Sequence, residues 1–188
     1  MEEKVYTFSC VSDFCACGIS SALYEIAYKK ECVFVCVGSD LVVGDCLGPL
    51  CGTFIKNNLP DAYVYGTLDT PITAKQVNNV SANIKKLHPN SCVVVIDACV
   101  GREEEVGLVK VQNKGIKPGL GVNKNLRFIG DVSIVGVVAE KTYNNYPLYN
   151  FTRLGLVNKL SKVIADGVKK FCDDRRAQNR FNDKKIAQ

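Results

Sequence analysis

Residues 33–37 read Val-Phe-Val-Cys-Val and residues 92–96 read Cys-Val-Val-Val-Ile, with no polar residue interleaved in either run. A strand with one face in water alternates apolar and polar residues. A strand without alternation has both faces covered, the condition of a parallel sheet held between helical layers. Each run leads to an aspartate. The first passes through a short loop, Gly38-Ser39-Asp40-Leu41-Val42-Val43-Gly44, to Asp45, and the second runs straight into Asp97. In open α/β sheets, ligands and chemistry gather beyond the carboxyl ends of the strands. If the two strands are neighbours, Asp45 and Asp97 face one another across a cleft.

The remaining pattern alternates helical and strand signals. Residues 13–30 carry Ile19, Leu23 and Ile26 at helical spacing, with Ser12 or Asp13 able to cap. Asp45 opens a helix whose inner stripe is Leu47, Leu50 and Phe54. A strand is expected over 62–67. A capping box at Thr73-Ala74-Lys75-Gln76 then starts a helix carrying Val77, Val80, Ile84 and Leu87 on one face. Strands are expected over 91–96, 107–111 and 133–139, with a glycine-rich loop at 115–125. A long final helix, with Thr152 able to cap it, presents Leu156, Leu160, Val163, Ile164, Val168 and Phe171. Such alternation predicts an α/β fold of βαβ units with a mainly parallel sheet. No repeat or linker interrupts it, so residues 1–188 form one domain, with 172–188 as a polar basic tail.

With 47% apolar and 23% charged residues, the 188-residue chain has the composition of an ordinary globular protein. No apolar run is long enough to cross a bilayer, and the start Met1-Glu2-Glu3-Lys4 lacks a signal-peptide pattern. A cytoplasmic protein without membrane contact is expected. Of the net charge of +5, most sits in residues 169–188, where seven Lys and Arg face three Asp. Beyond Phe171 and Phe181 no aromatic residues alternate with these charges, so the tail reads as solvated and no nucleic-acid partner is expected. Ten cysteines in such a compartment are expected to be free thiols. Cys32, Cys36 and Cys92 serve as small hydrophobes. Cys10, Cys15 and Cys17 have no zinc spacing and no histidine nearby.

The single histidine, His88, precedes Pro89-Asn90 in a turn ahead of a strand. Ser-His-Asp and Cys-His catalysis both need an imidazole beside the nucleophile, so both depend on this one residue. Cys46 and Cys99 adjoin the two aspartates but have no base of their own. Gly38, Gly44 and Gly48 do not fit a dinucleotide fingerprint, and no Walker spacing occurs. The loop at 115–125 can present N–H groups to an anion or serve as a plain turn. Paired carboxylates remain: two that share a proton supply one acid and one base near neutrality. The plain alternatives are a helix cap for Asp45 and a strand-end turn for Asp97. Asp40 and Asp131, each in a loop after a small residue, are further acidic candidates, and spacing alone does not choose among the four.

Gly38…Asp45-Cys46-Leu47-Gly48-Pro49, Ile96-Asp97-Ala98 and Pro118-Gly119-Leu120-Gly121-Val122-Asn123-Lys124 resemble, in order, three motifs of the spore germination protease. The chain is most similar to a smaller sporulation family of the YyaC type, a candidate spore peptidase. The stretches Tyr65-Gly66-Thr67-Leu68-Asp69, Ile96-Asp97-Ala98-Cys99, Gly130-Asp131-Val132-Ser133-Ile134 and Thr152-Arg153-Leu154-Gly155 also fit it. The resemblance spans residues 33–170. It implies a three-layer αβα sandwich, phosphorylase/hydrolase-like, shared with hydrogenase-maturation peptidases. It also implies Asp45 and Asp97 as a catalytic pair hydrolysing a protein or peptide substrate, with a spore protein as candidate, inside the sporulating cell or spore. Asp40, Gly119, Gly121, Asn123, Lys124 and Asp131 are the expected substrate-binding residues, and a homo-oligomer is left open. In the maturation enzymes, a Glu and an Asp at the matching positions join a histidine to bind nickel. Here the first position is Asp, and His88 lies at the wrong end of its strand, so neither metal nor cofactor is expected. The rivals are a metal-dependent processing peptidase and a non-catalytic binding protein on the same scaffold.

Overall fold

The structure is a computed structural model and describes residues 2–28, 30–118, 128–141 and 152–186. Its strands are β1 (Val5–Ser9), β2 (Cys32–Cys36), β3 (Tyr63–Tyr65), β4 (Cys92–Gly101), β5 (Leu108–Gln112) and β6 (Val132–Glu140). The helices are α1 (Cys15–Ala27), α2 (Leu47–Asn58), α3 (Val77–Leu87) and α4 (Leu154–Ile186). The strands form one sheet in the order β1-β5-β6-β4-β2-β3. β6, β4, β2 and β3 run parallel, while β5 is antiparallel to both β6 and β1. The expected αβα fold with a mainly parallel sheet is therefore present, closed at one edge by an antiparallel pair.

The unbroken apolar runs explain the layers. On one face Phe34, Cys36, Val94 and Ile96 pack with Ile19 and Leu23 of α1, Leu47 and Ile55 of α2, and Leu160, Ile164 and Phe171 of α4. On the other face Val33, Val35, Val93 and Val95 pack with Ile72 and with Val77 and Ile84 of α3. Alternating side chains of one strand thus feed two cores, and burying each large aliphatic side chain is worth about 1.5–3 kcal/mol.

Four elements differ from expectation. β1 was not foreseen; it survives by pairing with β5 from Val5↔Gln112 to Ser9↔Leu108. β4 does not stop at Asp97 but continues to Gly101, because β6 pairs alongside it as far as Glu140. A 3-10 turn, Val43–Cys46, precedes α2, so Asp45 lies inside that turn and caps no helix. Finally, residues 172–186 continue α4 as helix. At α3, Gln76 Oε1 accepts the Thr73 N–H at 3.0 Å as a capping box requires, but the helix begins one turn later, at Val77. All ten cysteines are free, and Cys17 is exposed.

Candidate active site

β2 and β4 are adjacent and parallel, with Cys36 opposite Ile96, and the Val37 N–H donates to the Ile96 carbonyl at 2.8 Å. The chain therefore leaves β2 level with Asp97. The connecting loop closes on its own backbone: Gly38 N–H to Ile72 O at 2.9 Å, Ser39 N–H to Asp45 O at 3.2 Å and Asp45 N–H to Val42 O at 3.0 Å. Gly38 has φ +146°, and a Cβ there would stand 2.1 Å from the Asp45 carbonyl oxygen. A Cβ on Gly48 would stand 1.9 Å from the Val37 carbonyl oxygen. Only glycine lets the first turn of α2 press this closely on the end of β2. From α4, the buried Ser161 hydroxyl lies 3.3 Å from the Leu47 carbonyl. Asp45 is thus held by a loop with little freedom.

Asp97 is 7% exposed. Strand alternation turns it to the α3 face, with Val93 and Val95. Its Oδ1 accepts the Ala98 N–H at 2.8 Å. Burial first, and then the charge of Asp45, hold its carboxyl well above the usual range, and the Ala98 bond does not offset them. Asp45 is half-buried. Burial raises its carboxyl as well, opposed by the Ser39 N–H. The charge of Asp45 thus acts on Asp97, the more deeply buried of the two carboxyls.

The other expected residues divide. Asp40 is exposed in the same loop, and its charge joins that of Asp45 in raising the Cys46 thiol after burial. It therefore lies on the same rim, and Cys46 is no activated thiolate. Asp131 is not brought to the site. Its Oδ2 accepts the Val93 N–H at 2.9 Å and its own N–H donates to Val93 O at 2.8 Å. Val93 and Asp97 are separated along β4 by about 13 Å at the strand rise, so Asp131 serves the amino end of the sheet by satisfying backbone there. Gly119, Gly121, Asn123 and Lys124 lie outside the described residues.

His88 follows α3, its Nε2 2.9 Å from the Tyr65 hydroxyl and its ring 4.5 Å from that of Tyr63. Tyr65 is level with Val95 through Val35, but it stands on the edge strand β3, two strands across from β4, and His88 packs at that edge. The donors of a nickel site therefore do not fit here. Among the described residues no three His, Cys, Asp or Glu side chains converge as metal ligands.

Sequence reasoning missed one group. Val135 of β6 pairs with Asp97 on one side and with Lys110 of β5 on the other, so Lys110 shares the face of Asp97. Its Nζ lies 2.6 Å from Glu105 Oε1. Cys99, the next residue on that face, has its thiol pushed up to about 11, by burial above all; Lys110 opposes the rise, and Asp97 and Glu105 add to it. A lone lysine in a short alternating strand gives no sequence signal, because only the sheet order brings it near Asp97.

The profile of a family described as "Protein of unknown function (DUF1256)" matches residues 11–167. A Bacillus subtilis (strain 168) protein, "Uncharacterized protein YyaC", is 40% identical over 151 residues, covering 80% of this chain and 73% of the relative. The expected similarity to the YyaC type is thus present. A solved structure, that of the [NiFe] hydrogenase maturation protease HycI from Thermococcus kodakarensis KOD1, aligns over 78% of this chain and 98% of its own. The identity is 17% and the TM-score 0.46. No described helix is long and apolar enough to cross a membrane.

Proposed function

The chain belongs to the DUF1256 family, and from that premise we propose that it is a peptidase-type amide hydrolase in which Asp45 and Asp97 activate water against a peptide carbonyl. One observation carries this: a buried Asp97 whose carboxyl is raised by burial and by a second carboxylate, Asp45, delivered by the neighbouring parallel strand. A buried carboxyl perturbed by a second carboxylate beyond the ends of parallel strands is a candidate for acid–base chemistry.

Ionised Asp45 takes a proton from water as the oxygen attacks the carbonyl carbon, and protonated Asp97 donates to the carbonyl oxygen. On collapse the proton on that oxygen returns to Asp97, the C–N bond breaks, and Asp45 passes its proton to the leaving amine. The base role goes to Asp45 because it is the more exposed of the two, and the acid role to Asp97 because it is the more deeply buried. The resemblance of three sequence motifs to those of the spore germination protease supports a protein or peptide substrate, with a spore protein in a sporulating cell as the candidate. It also supports Asp40, Gly119, Gly121, Asn123 and Lys124 as substrate-binding residues.

The test uses the full chain and a library of unstructured peptides, with cleavage read by mass spectrometry. Wild type is expected to cleave, and Asp45→Asn and Asp97→Asn to lose at least about 10³-fold in turnover while melting cooperatively. Near-normal turnover by either folded variant excludes the pair mechanism. Peptide binding without cleavage by wild type points instead to a binding protein on this scaffold.

A further inference from the structure

Lys110 is the cation that the sheet register sets level with Asp97. Paired residues share a face, and Val135 pairs with both. Two strand spacings separate Lys110 from Asp97, about 10 Å between Cα atoms, with Val135 between them on the same face. The lysine side chain is 23% exposed, so it is neither free in solvent nor sealed in the core. Glu105 holds it: Oε1 meets Nζ at 2.6 Å, while Oε2 accepts the Arg102 N–H at 2.9 Å and is thereby tied to the 3-10 turn Glu103–Glu105. Lys110 first, and then the Arg102 N–H, bring the Glu105 carboxyl down to about 2, so the partner stays ionised across the working range. An ammonium has three N–H donors, and Glu105 engages only part of them. Cys99 lies in the fields of Asp97, Lys110 and Glu105 together, which places all three around one spot on the sheet.

We propose that Lys110 is a further catalytic residue of the hydrolysis: its ammonium donates a second hydrogen bond to the scissile carbonyl oxygen, opposite Asp97, and stabilises the negative charge that grows there. Glu105 is a positioning residue that fixes the ammonium. The proposal rests on the peptidase reading above. It supplies what that mechanism otherwise lacks among the described residues, a fixed charge beside the developing oxyanion.

The experiment compares full-length wild type with Lys110→Met, Lys110→Arg and Glu105→Gln on the same peptide library, with melting curves for each. Loss of one oxyanion donor costs about 10²–10³-fold in kcat, and that drop is expected for Lys110→Met with KM changed less than about threefold. Lys110→Arg keeps a charged donor and is expected to recover at least about tenfold of the loss. Glu105→Gln keeps the ammonium and is expected to fall less than about tenfold. If Lys110→Met does not fold, Lys110→Gln, which keeps a hydrogen bond to Glu105 without the charge, carries the same expectation. Normal kcat in a folded, uncharged Lys110 variant, with Asp97→Asn inactive, overturns the role of Lys110 and leaves the peptidase reading intact. Equal losses in Lys110→Met and Glu105→Gln, tracking their melting, would make the pair structural and also overturn it. Wild type that cleaves nothing overturns both.

Discussion

An aspartate in the middle of a buried parallel strand opposes both strand propensity and the cost of burying charge. Asp97 tolerates the position by holding its proton, and this fixes a pH dependence. Its folded-state affinity for a proton exceeds the unfolded one, so the native state binds more protons above the ordinary carboxylate pKa. The stability present at low pH is therefore lost as pH rises through the raised folded value. Asp97→Asn is expected to melt higher than wild type at neutral to mildly alkaline pH, with the difference shrinking toward about pH 4; a constant difference would refute the assignment. Turnover should rise as Asp45 ionises, above the ordinary carboxylate range, and fall when Asp97 loses its proton, a bell reporting the pair. His88, bonded to Tyr65 on the edge strand β3, two strands from β4, is expected to tolerate replacement: His88→Ala should keep turnover within about threefold, and a collapse would revive an imidazole or metal mechanism. At this scale the sequence displayed Asp45 and Asp97 because each followed an unbroken apolar run. Asp131 looked equivalent because loops at the two ends of a sheet carry the same residue types, and only strand direction separates them.

Among the elements, the junction of β2 with α2 is the most constrained. A methyl group on Gly48 meets the Val37 carbonyl oxygen at 1.9 Å, backbone against backbone, so no side chain can yield. Gly48→Ala is expected to cost at least about 2 kcal/mol, a melting point lower by about 4–8 °C in a chain of this size. Turnover should fall further than stability, since the shift displaces Asp45. Wild-type melting and turnover in Gly48→Ala would show that the junction is looser than described. β2, the first half of β4, α1 and α3 were readable because burial on fixed periods leaves a trace. β1 was not, since Val5-Tyr6-Thr7-Phe8-Ser9 is short and depends on β5 for its bonds. The far half of β4 was hidden by Asp97 itself, which marks a turn in isolation but here is overridden by the register with β6.

For the whole molecule, α4 decides how far the body extends. Its last core residues are Phe171 and Cys172, and beyond them the sequence has helix formers without an apolar stripe, which is why a polar tail was expected where the helix continues. Arg175 makes the contact at the boundary, its Nη1 2.5 Å from the Lys30 carbonyl oxygen. Truncation after Asp174 removes that bond, worth about 1–2 kcal/mol at most for a charged donor near the surface. A melting point lower by no more than about 5 °C is expected, with turnover unchanged; a larger loss would mean that the tail docks more firmly. The helix past that boundary follows different rules from the rest of the chain. Residues 173–186 rise about 21 Å, and an isolated helix of that length is marginal in water. The i,i+4 pairs Lys169–Asp173 and Lys170–Asp174 secure its base. Its backbone amides therefore open to deuterium exchange by local fraying, with protection decaying residue by residue outward from Arg175, while those of β2 and β4 open only when the whole sheet unfolds.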